Sequence, residues 1–150
     1  MNPKTDMAKQ LYQARKMKTQ EEVRKFEEAR ISLVSTKRAD VIRDILRTFD
    51  DSTEQLDVMW GLVHDVESLD PESYVRELSL EIPNMMSTAR DWTIILLQRI
   101  INTKDYLALY KKVLKTLPKN TVDAHRDVLR QIANSNPKSK KLINTLLKTI

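Results

Sequence analysis

The sequence predicts an all-α protein of about seven or eight helices, and two observations support that fold class. The chain contains one glycine among 150 residues, whereas hairpin turns and small barrels need backbone at positive φ, which glycine adopts most easily. Apolar residues also recur at helical spacing along most of the chain. With 41% hydrophobic residues, the chain is expected to form a single domain over residues 1–150, with residues 1–35 as a candidate peripheral helical arm.

Helix start signals divide the first half of the chain. Asn2-Pro3 begins a first helix, and the capping-box spacing of Thr19 to Glu22 begins a second. A third helix is expected over residues 41–49 because apolar residues recur there at helical spacing. Asp50 to Thr53 supply N-cap candidates for a fourth helix over about residues 54–68.

The second half carries similar signals. Asp70-Pro71-Glu72 combines an N-cap residue, a proline at the first helical position and an acid in the first turn. The helix that it begins is expected to end before Pro83, and Thr103 and Thr121 are N-cap candidates for later helices. The remaining helices are expected over residues 88–101, 104–116, 121–134 and 138–150.

From residue 54 onward the expected helices form pairs that begin near residues 54, 88 and 121. The spacing of 34 and then 33 residues is typical of stacked helical hairpins of the HEAT or tetratricopeptide kind. Three irregular pairs also fit a plain helical bundle, and the side-chain consensus of a named repeat is absent. We therefore expect antiparallel hairpins, stacked either in a short HEAT-like array or in an irregular bundle.

Charged residues are sorted along the chain. Residues 1–48 carry 12 Lys and Arg against 7 Asp and Glu, residues 49–92 carry 2 against 11, and residues 93–150 carry 12 against 3. The three net charges of +5, −9 and +9 give the formal charge of +5. An acidic segment between two basic ones indicates a surface suited to a basic partner.

The helix expected over residues 54–68 combines an aromatic residue with acids and a histidine. A helical wheel places Asp57 and His64 opposite the apolar side, with Trp60, Asp65 and Glu67 flanking this polar side. The combination is typical of an interface hot spot, although a Trp60 that packs on a neighbouring helix among solvated acids gives the same pattern. Catalytic and metal-ligand spacings are absent from the sequence, so we expect no catalysis, no cofactor and no metal.

The later helices comprise one buried helix and a basic region. The helix over residues 88–101 is apolar nearly all round, so Trp92 is expected in the core, and Arg99 is expected to need a carboxylate such as Asp91 or an acid of the preceding pair. His125 is expected to be a surface or helix-packing residue. The basic region indicates either a phosphate-contacting stripe or a solvated outer face, and its lysines are Lys111, Lys112, Lys115, Lys119, Lys138, Lys140 and Lys141.

A pattern of spaced residues runs through the middle of the chain. It begins with Asp57-Val-Met-Trp-Gly-Leu-Val-His-Asp-Val-Glu-Ser68, continues through Tyr74 and Pro83 to Ala89-Arg-Asp-Trp-Thr-Ile-Ile-Leu-Leu-Gln-Arg-Ile-Ile-Asn102, and ends at Tyr110. Over roughly residues 40–130 the chain resembles the immunity protein 30 family of bacterial polymorphic-toxin systems, whose members are small all-α proteins. The basic N-terminal segment and the Lys-rich tail lie outside this resemblance.

The resemblance implies a bacterial antidote that is located in the cytoplasm and has no enzymatic activity. Such proteins bind the C-terminal toxin domain of a contact-dependent growth inhibition system or a related secreted effector, and toxins of this type are often basic nucleases. The acidic segment would then supply the docking face and occlude the toxin. The candidate protein-binding residues are Asp57, Trp60, His64, Asp65, Glu67, Asp70, Glu72 and Glu77.

Two other functions stay open on the sequence. The Lys-rich C-terminal half could bind nucleic acid, although its scarcity of arginine and aromatic residues is atypical of a specific nucleic-acid site. The acidic and basic parts could also pair head to tail in an oligomeric scaffold.

The N-terminus shows no apolar signal region, the most apolar run (residues 92–97) is too short for a bilayer, and cysteine is absent. We therefore expect a cytoplasmic protein with no membrane and no direct nucleic-acid partner.

Overall fold

The computed structural model describes residues 3–150, with side chains from residue 6 onward, so Asn2 of the expected first start signal lies outside the described residues. Within this part of the chain there are nine α-helices, two short 3-10 helices (Ala39–Val41 and Pro137–Ser139) and no strand. The all-α prediction is confirmed, with nine helices where about seven or eight were expected. They are α1 (Pro3–Gln13), α2 (Gln20–Ser35), α3 (Ile42–Leu46), α4 (Leu56–Glu67), α5 (Pro71–Met85), α6 (Arg90–Ile101), α7 (Lys104–Leu114), α8 (Lys119–Ser135) and α9 (Lys140–Lys148).

Local capping residues account for the starts of α2 and α5. Thr19 Oγ1 accepts a hydrogen bond from the Glu22 N–H at 3.1 Å, and Glu22 Oε1 accepts one from the Lys18 N–H at 3.2 Å. Asp70 Oδ2 accepts a hydrogen bond from the Ser73 N–H at 3.0 Å. These bonds satisfy backbone donors that have no partner within the helix, so both helices begin where the sequence predicts.

Predicted boundaries are wrong at α3, α4 and α8, and also at α5. The third helix ends at Leu46, three residues earlier than expected. Asp50 to Thr53 do not cap α4, because its N-cap position is held by Gln55, which makes no side-chain capping bond. Thr121 does not cap α8, since that helix begins directly after Pro118 and includes Thr121 in its first turn. Proline at that position has the φ angle that leads into a helix, so it starts α8 earlier than a threonine cap would.

The fifth helix continues through Pro83 to Met85, although Pro83 was expected to end it. Proline has no N–H, so the carbonyl of Ser79, four residues earlier, lacks its usual helical donor. His125 of α8 donates its Nε2–H to this carbonyl at 2.8 Å. Nδ1 of the same ring is therefore an acceptor, and it receives the hydroxyl hydrogen of Tyr110 at 2.6 Å. His125 is fully buried, so it is a helix-packing residue that supplies the donor that Pro83 lacks.

The helices stack in two layers. In one layer α1 contacts α3, α3 contacts α5 and α5 contacts α7, while α2 and α6 flank α4 in the other layer. Side chains that bridge α2–α4, α3–α5 and α4–α6 belong to residues 35, 34 and 32 positions apart. This spacing is close to that of the predicted repeat, and a nearly constant offset means that neighbours within a layer run parallel. The stacked-hairpin arrangement describes α2 to α7. The predicted third pair, beginning near residue 121, departs from it, because α8 contacts both α5 and α6 and α9 packs on α8.

One hydrophobic cluster extends through the stack. It includes Leu11 of α1, Phe26 of α2 and Ile143 of α9, none of which is accessible to solvent. Trp92 is also buried, as predicted. Residues 1–35 thus contribute side chains to the same core, while the single folding domain over residues 1–150 stays a prediction.

Two non-glycine residues have left-handed backbone. Met17 follows α1 with φ of 48°, and Lys37 follows α2 with φ of 54°. Glycine commonly occupies such positions after a helix because it has no Cβ to crowd the following carbonyl. The only glycine of this chain, Gly61, lies within α4 instead.

Candidate binding surface

Arginines of the two basic segments bind carboxylates of the acidic segment. Among the described residues, every ion pair between residues distant in the chain joins an arginine from residues 1–48 or 93–150 to an acid from residues 49–92. The pairs are Arg15–Asp50 at 3.0 Å, Arg30–Asp65 at 2.6 Å, Arg43–Glu77 at 3.2 Å, Arg47–Glu81 at 3.1 Å, Arg43–Glu81 at 3.8 Å and Arg99–Glu67 at 2.8 Å. Much of the sorted charge is therefore neutralised inside the molecule by bridges between stacked helices.

Two further acids cap helices. Asp51 accepts hydrogen bonds from the N–H groups of Asp91 and Trp92 at 3.0 and 3.3 Å, so it caps α6 from a distant part of the chain. Asp70 caps α5 through Ser73, and these hydrogen bonds lower the pKa of Asp70. Within residues 3–150, the acids of the segment that make no ion pair or side-chain hydrogen bond are Glu54, Asp57, Glu72 and Asp91, and all four are exposed.

Three of these four free carboxylates lie at one end of the stack. Trp60 of α4 packs on Trp92 of α6, and Glu67 binds Arg99 further along the same two helices, so the N-terminal ends of α4 and α6 lie side by side. These ends carry Asp57 and Asp91, and Glu54 immediately precedes α4. Leu56 is 58% exposed beside them. We call Glu54, Leu56, Asp57 and Asp91 the acidic end.

The outer surface of α4 continues from the acidic end through Trp60. The indole is half-buried, with its ring 5.5 Å from that of Trp92 in an edge-to-face arrangement. The guanidinium of Arg99 lies 5.8 Å from the Trp60 ring, held there by two 2.8 Å bonds to Glu67. His64 is one turn away, with ring centroids 6.4 Å apart. Trp60 therefore packs on the neighbouring helix and also presents part of a fixed aromatic ring to solvent, a combination that favours binding.

Arg30 of α2 lies across the adjacent part of α4. Its guanidinium bonds both Asp65 and Glu27, at 2.6 and 2.9 Å. Gly61 faces it, and a Cβ at that position would be 3.4 Å from the guanidinium carbon, an ordinary van der Waals contact. Burial raises the pKa of Asp65, and the bond from Arg30 opposes that rise. The Asp65 carboxylate is only 16% exposed, so it is engaged within the protein rather than presented to a partner.

The predicted binding residues fall into separate groups. Asp57, Trp60, His64, Asp65 and Glu67 share the outer side of α4, although the last two are bound to arginines. The remaining acids lie on α5 or at its start, in the other layer from α4. Asp70 is a cap, Glu72 is exposed and Glu77 binds Arg43 of α3. The sequence did not indicate Glu54, Leu56 and Asp91. The helix begins at Leu56, so the side chain of Leu56 lies beyond the core.

A second concave surface lies between α1 and α5. It is an open groove of about 730 Å³ above the short α3, and the sequence did not predict it. Its exposed lining is mainly apolar, and charged residues are interspersed in it. The lining residues are Ala8, Lys9, Tyr12, Asp44, Leu46, Arg47, Phe49, Glu81, Asn84, Met85 and Thr88.

Among the described residues, three other features bear on function. Within residues 3–150, no group of three or more His, Asp or Glu side chains could hold a metal ion. The seven lysines singled out in the C-terminal part are all exposed, and they form no ion pair among the described residues. In the same part of the chain, no helix is both long and apolar enough to cross a membrane.

The structure combines a stack of helical hairpins with a fixed aromatic residue, exposed carboxylates and an apolar groove, which are features typical of protein-binding surfaces. The model of the family described as Immunity protein 30 matches residues 13–110, and the chain belongs to that family. Immunity proteins have a cognate toxin as partner and are generally non-enzymatic. No curated protein and no solved structure matches the chain significantly.

The family match differs in extent from the resemblance seen in the sequence. It begins at residue 13 rather than near residue 40, so it includes α2 and part of the basic N-terminal segment that was expected to lie outside. It ends at Tyr110, so the Lys-rich tail does lie outside it. The ion pair between Arg30 and Asp65 ties α2 to α4, which gives a structural reason for the N-terminal segment to belong with the matched region.

Proposed function

We propose that the protein is a bacterial cytoplasmic antidote that binds the C-terminal toxin domain of a contact-dependent growth inhibition system or a related secreted effector. Membership of the Immunity protein 30 family is the observation that carries this proposal. Neutralisation would occur by occlusion, because binding surfaces are the features that the structure offers and an antidote needs only to cover the toxin's working surface. The partner would be basic, and a nuclease is the expected class of toxin.

We propose the outer surface of α4 as the docking surface, extended by the acidic end. Asp57, Trp60 and His64 of the predicted set are exposed or half-buried there, and Asp91 adds a free carboxylate. Free carboxylates would attract a basic toxin and speed its approach, while Trp60 would fill a pocket on it. Asp65 and Glu67 would hold their arginines in place, and Asp70, Glu72 and Glu77 would lie toward the periphery of the contact.

The first experiment is co-expression in cells. The C-terminal domain encoded by the reading frame immediately upstream is expressed with and without this protein, and growth is scored. Rescue of growth, together with a stable complex on purification, would support the proposal. A toxic domain that is not rescued, or a domain without toxicity, would contradict it. The nucleic-acid and scaffold functions would then take precedence, tested by electrophoretic shift with tRNA or duplex DNA and by sedimentation at low and high salt.

The docking surface is tested by reversing charges at the acidic end. The double variant Asp57→Lys with Asp91→Lys should slow association with the toxin domain by at least tenfold at low salt, and the effect should shrink as salt screens the charges. Asp105→Lys is the matched control, because Asp105 is also an exposed acid in the first turn of a helix, so the change costs a similar interaction with the helix dipole. Equal association rates for the double variant and the control would exclude this surface.

A further inference from the structure

The groove between α1 and α5 exists because α3 is short. α3 spans five residues, between an α1 of 11 residues and an α5 of 15 residues in the same layer. The longer helices therefore extend past the end of α3, and the space beyond it is left open. Leu46 at the end of α3 and Phe49 just after it form the floor, while Ala8 and Met85 contribute apolar walls.

An aromatic side chain is held rigidly at the edge of this groove. Tyr12 is 48% exposed, yet the guanidinium of Arg15 lies 4.0 Å from the centre of its ring. Arg15 is itself fixed by bonds to Asp50 at 3.0 Å and to the Tyr12 carbonyl at 2.9 Å. An exposed tyrosine whose orientation is already fixed loses little conformational freedom on binding, which is the property of an interface anchor.

The charges of the groove are unevenly satisfied. Glu81 is nearly buried and receives bonds from Arg47 and Asn84 at 3.1 and 3.4 Å. Asp44 on the adjacent wall is half-buried, and among the side chains from residue 6 onward its carboxylate has no hydrogen bond or ion pair, although its charge helps to raise the pKa of Arg47. A half-buried carboxylate beside an apolar floor gains most from a cation whose carrier also covers the floor.

The groove and the acidic end meet at one end of the molecule. Thr88, which lines the groove, accepts a hydrogen bond from the N–H of Asp51 at 3.0 Å, and Asp51 caps α6 at the acidic end. Beneath the surface, Phe49 of the groove floor contacts Trp92 with ring centroids 5.7 Å apart, and Trp92 contacts Trp60. One partner could therefore cover both surfaces while this protein keeps its conformation.

We infer that this groove is a second docking site for the toxin domain, and that it takes a segment with a bulky apolar side chain next to a lysine or arginine. The apolar side chain packs against the exposed ring of Tyr12, and the cation pairs with Asp44. This inference rests on the proposed function, because the occupant is the same toxin domain that the acidic end attracts.

Substitutions at the groove test the inference with the toxin domain from the co-expression experiment as the probe. Tyr12→Ala and the groove-filling Ala8→Phe should each weaken the complex at least tenfold while the helical content is unchanged. Ile31→Ala is the control, since Ile31 is a large apolar residue on α2 that is 59% exposed, somewhat more than Tyr12, and it should leave the affinity unchanged. Asp44→Asn should weaken the complex and reduce its dependence on salt.

Site-specific labelling gives an independent measurement, because the natural chain has no cysteine. Thr88→Cys in the groove should react with a maleimide at least tenfold more slowly in the complex, while Ala108→Cys on the exposed side of α7 should react at the same rate.

Three outcomes would overturn the inference, and they are distinguishable. A complex that forms normally with Tyr12→Ala and Ala8→Phe, and leaves Thr88→Cys reactive, excludes the groove but leaves the antidote function intact. Failure of the unmodified protein to bind any toxin domain removes both proposals. A free protein that is a dimer by sedimentation, and becomes a monomer with Tyr12→Ala, would identify the groove as a contact between two copies of this chain.

Discussion

The hydrogen bond from His125 to the Ser79 carbonyl, for which Pro83 has no N–H, leads to a specific prediction about stability. His125→Leu removes both ring nitrogens, so two buried polar atoms lose their partners, the carbonyl of Ser79 and the hydroxyl of Tyr110. Leaving a buried polar group unpaired costs about 1–3 kcal/mol. The substitution should therefore lower the free energy of unfolding by roughly 2–6 kcal/mol.

The cost should depend on Pro83. In a Pro83→Ala background, residue 83 regains an N–H that can bond the Ser79 carbonyl within the helix. His125→Leu then leaves only the Tyr110 hydroxyl unpaired, so its cost should fall by about 1–3 kcal/mol. Urea denaturation followed by circular dichroism measures all four members of this double-mutant cycle. An equal cost of His125→Leu in both backgrounds would refute the reasoning.

The chain supplies its own control for this experiment. It contains two histidines, and the side chain of His64 is 67% exposed. His64→Leu makes the same chemical change at a solvated position, so it should alter the free energy of unfolding by less than about 0.5 kcal/mol. A comparable loss at His64 would show that the effect at His125 is not specific to its buried bonds.

The same residue predicts how stability depends on pH. Burial lowers the pKa of His125 below its ordinary value of 6.5, although the bond to Ser79 opposes that change. As pH falls below 6.5, the unfolded chain takes up a proton that the folded protein resists, so the free energy of unfolding should fall. Above pH 6.5 the contribution is fully present. His125→Leu should abolish this dependence between pH 7 and pH 5, as measured by urea denaturation at each pH.

Three further substitutions test other features of the fold. Gly61→Ala should raise the free energy of unfolding by about 0.5–1 kcal/mol, because alanine favours a helix more than glycine does. Its Cβ would meet Arg30 at 3.4 Å without overlap. A lower melting temperature in thermal denaturation would show instead that the space beside Gly61 is needed. Lys37→Gly should stabilise by up to about 1 kcal/mol because it relieves left-handed backbone, and unchanged stability in urea would contradict that reason. Burial acts to raise the pKa of Asp50, but hydrogen bonds and the charge of Arg15 lower it overall. Asp50→Asn should therefore lower the free energy of unfolding by about 1–3 kcal/mol at pH 7. This cost should vanish as pH falls through the native pKa of Asp50, which lies below 3.8.

Local signals in the sequence predicted the parts of the fold that depend on neighbouring residues. Thr19 and Asp70 cap their helices through bonds that span three residues, so their roles can be read directly from spacing. Asp51 could not be assigned in this way, because it caps α6 through N–H groups 40 and 41 residues away. Pro83 was misread for the same reason, since its compensating donor lies on α8. Arg99 was correctly expected to bind an acid of the preceding pair, which is Glu67.

The segregation of charge along the chain was recognised correctly, but most of the arginines and acids involved pair with each other inside the molecule. Sequence alone could not separate Asp65, which binds Arg30, from Asp57, which faces solvent, because both are acids on one helix. The repeat of about 34 residues contained the missing information. Residues one repeat apart lie opposite each other in a stack, and Arg30 and Asp65 are 35 residues apart.

The number of residues between the two partners of each bridge is nearly constant, and this has a consequence for how the chain folds during synthesis. Each hairpin contacts mainly the hairpin before it, so its bonds can form as soon as about 34 further residues have left the ribosome. Contacts of this range favour rapid folding, since little chain entropy is lost before each contact forms. Arg43 and Arg47 therefore wait only for Glu77 and Glu81, and the docking surface on α4 is assembled when α6 emerges, before the Lys-rich tail has left the ribosome.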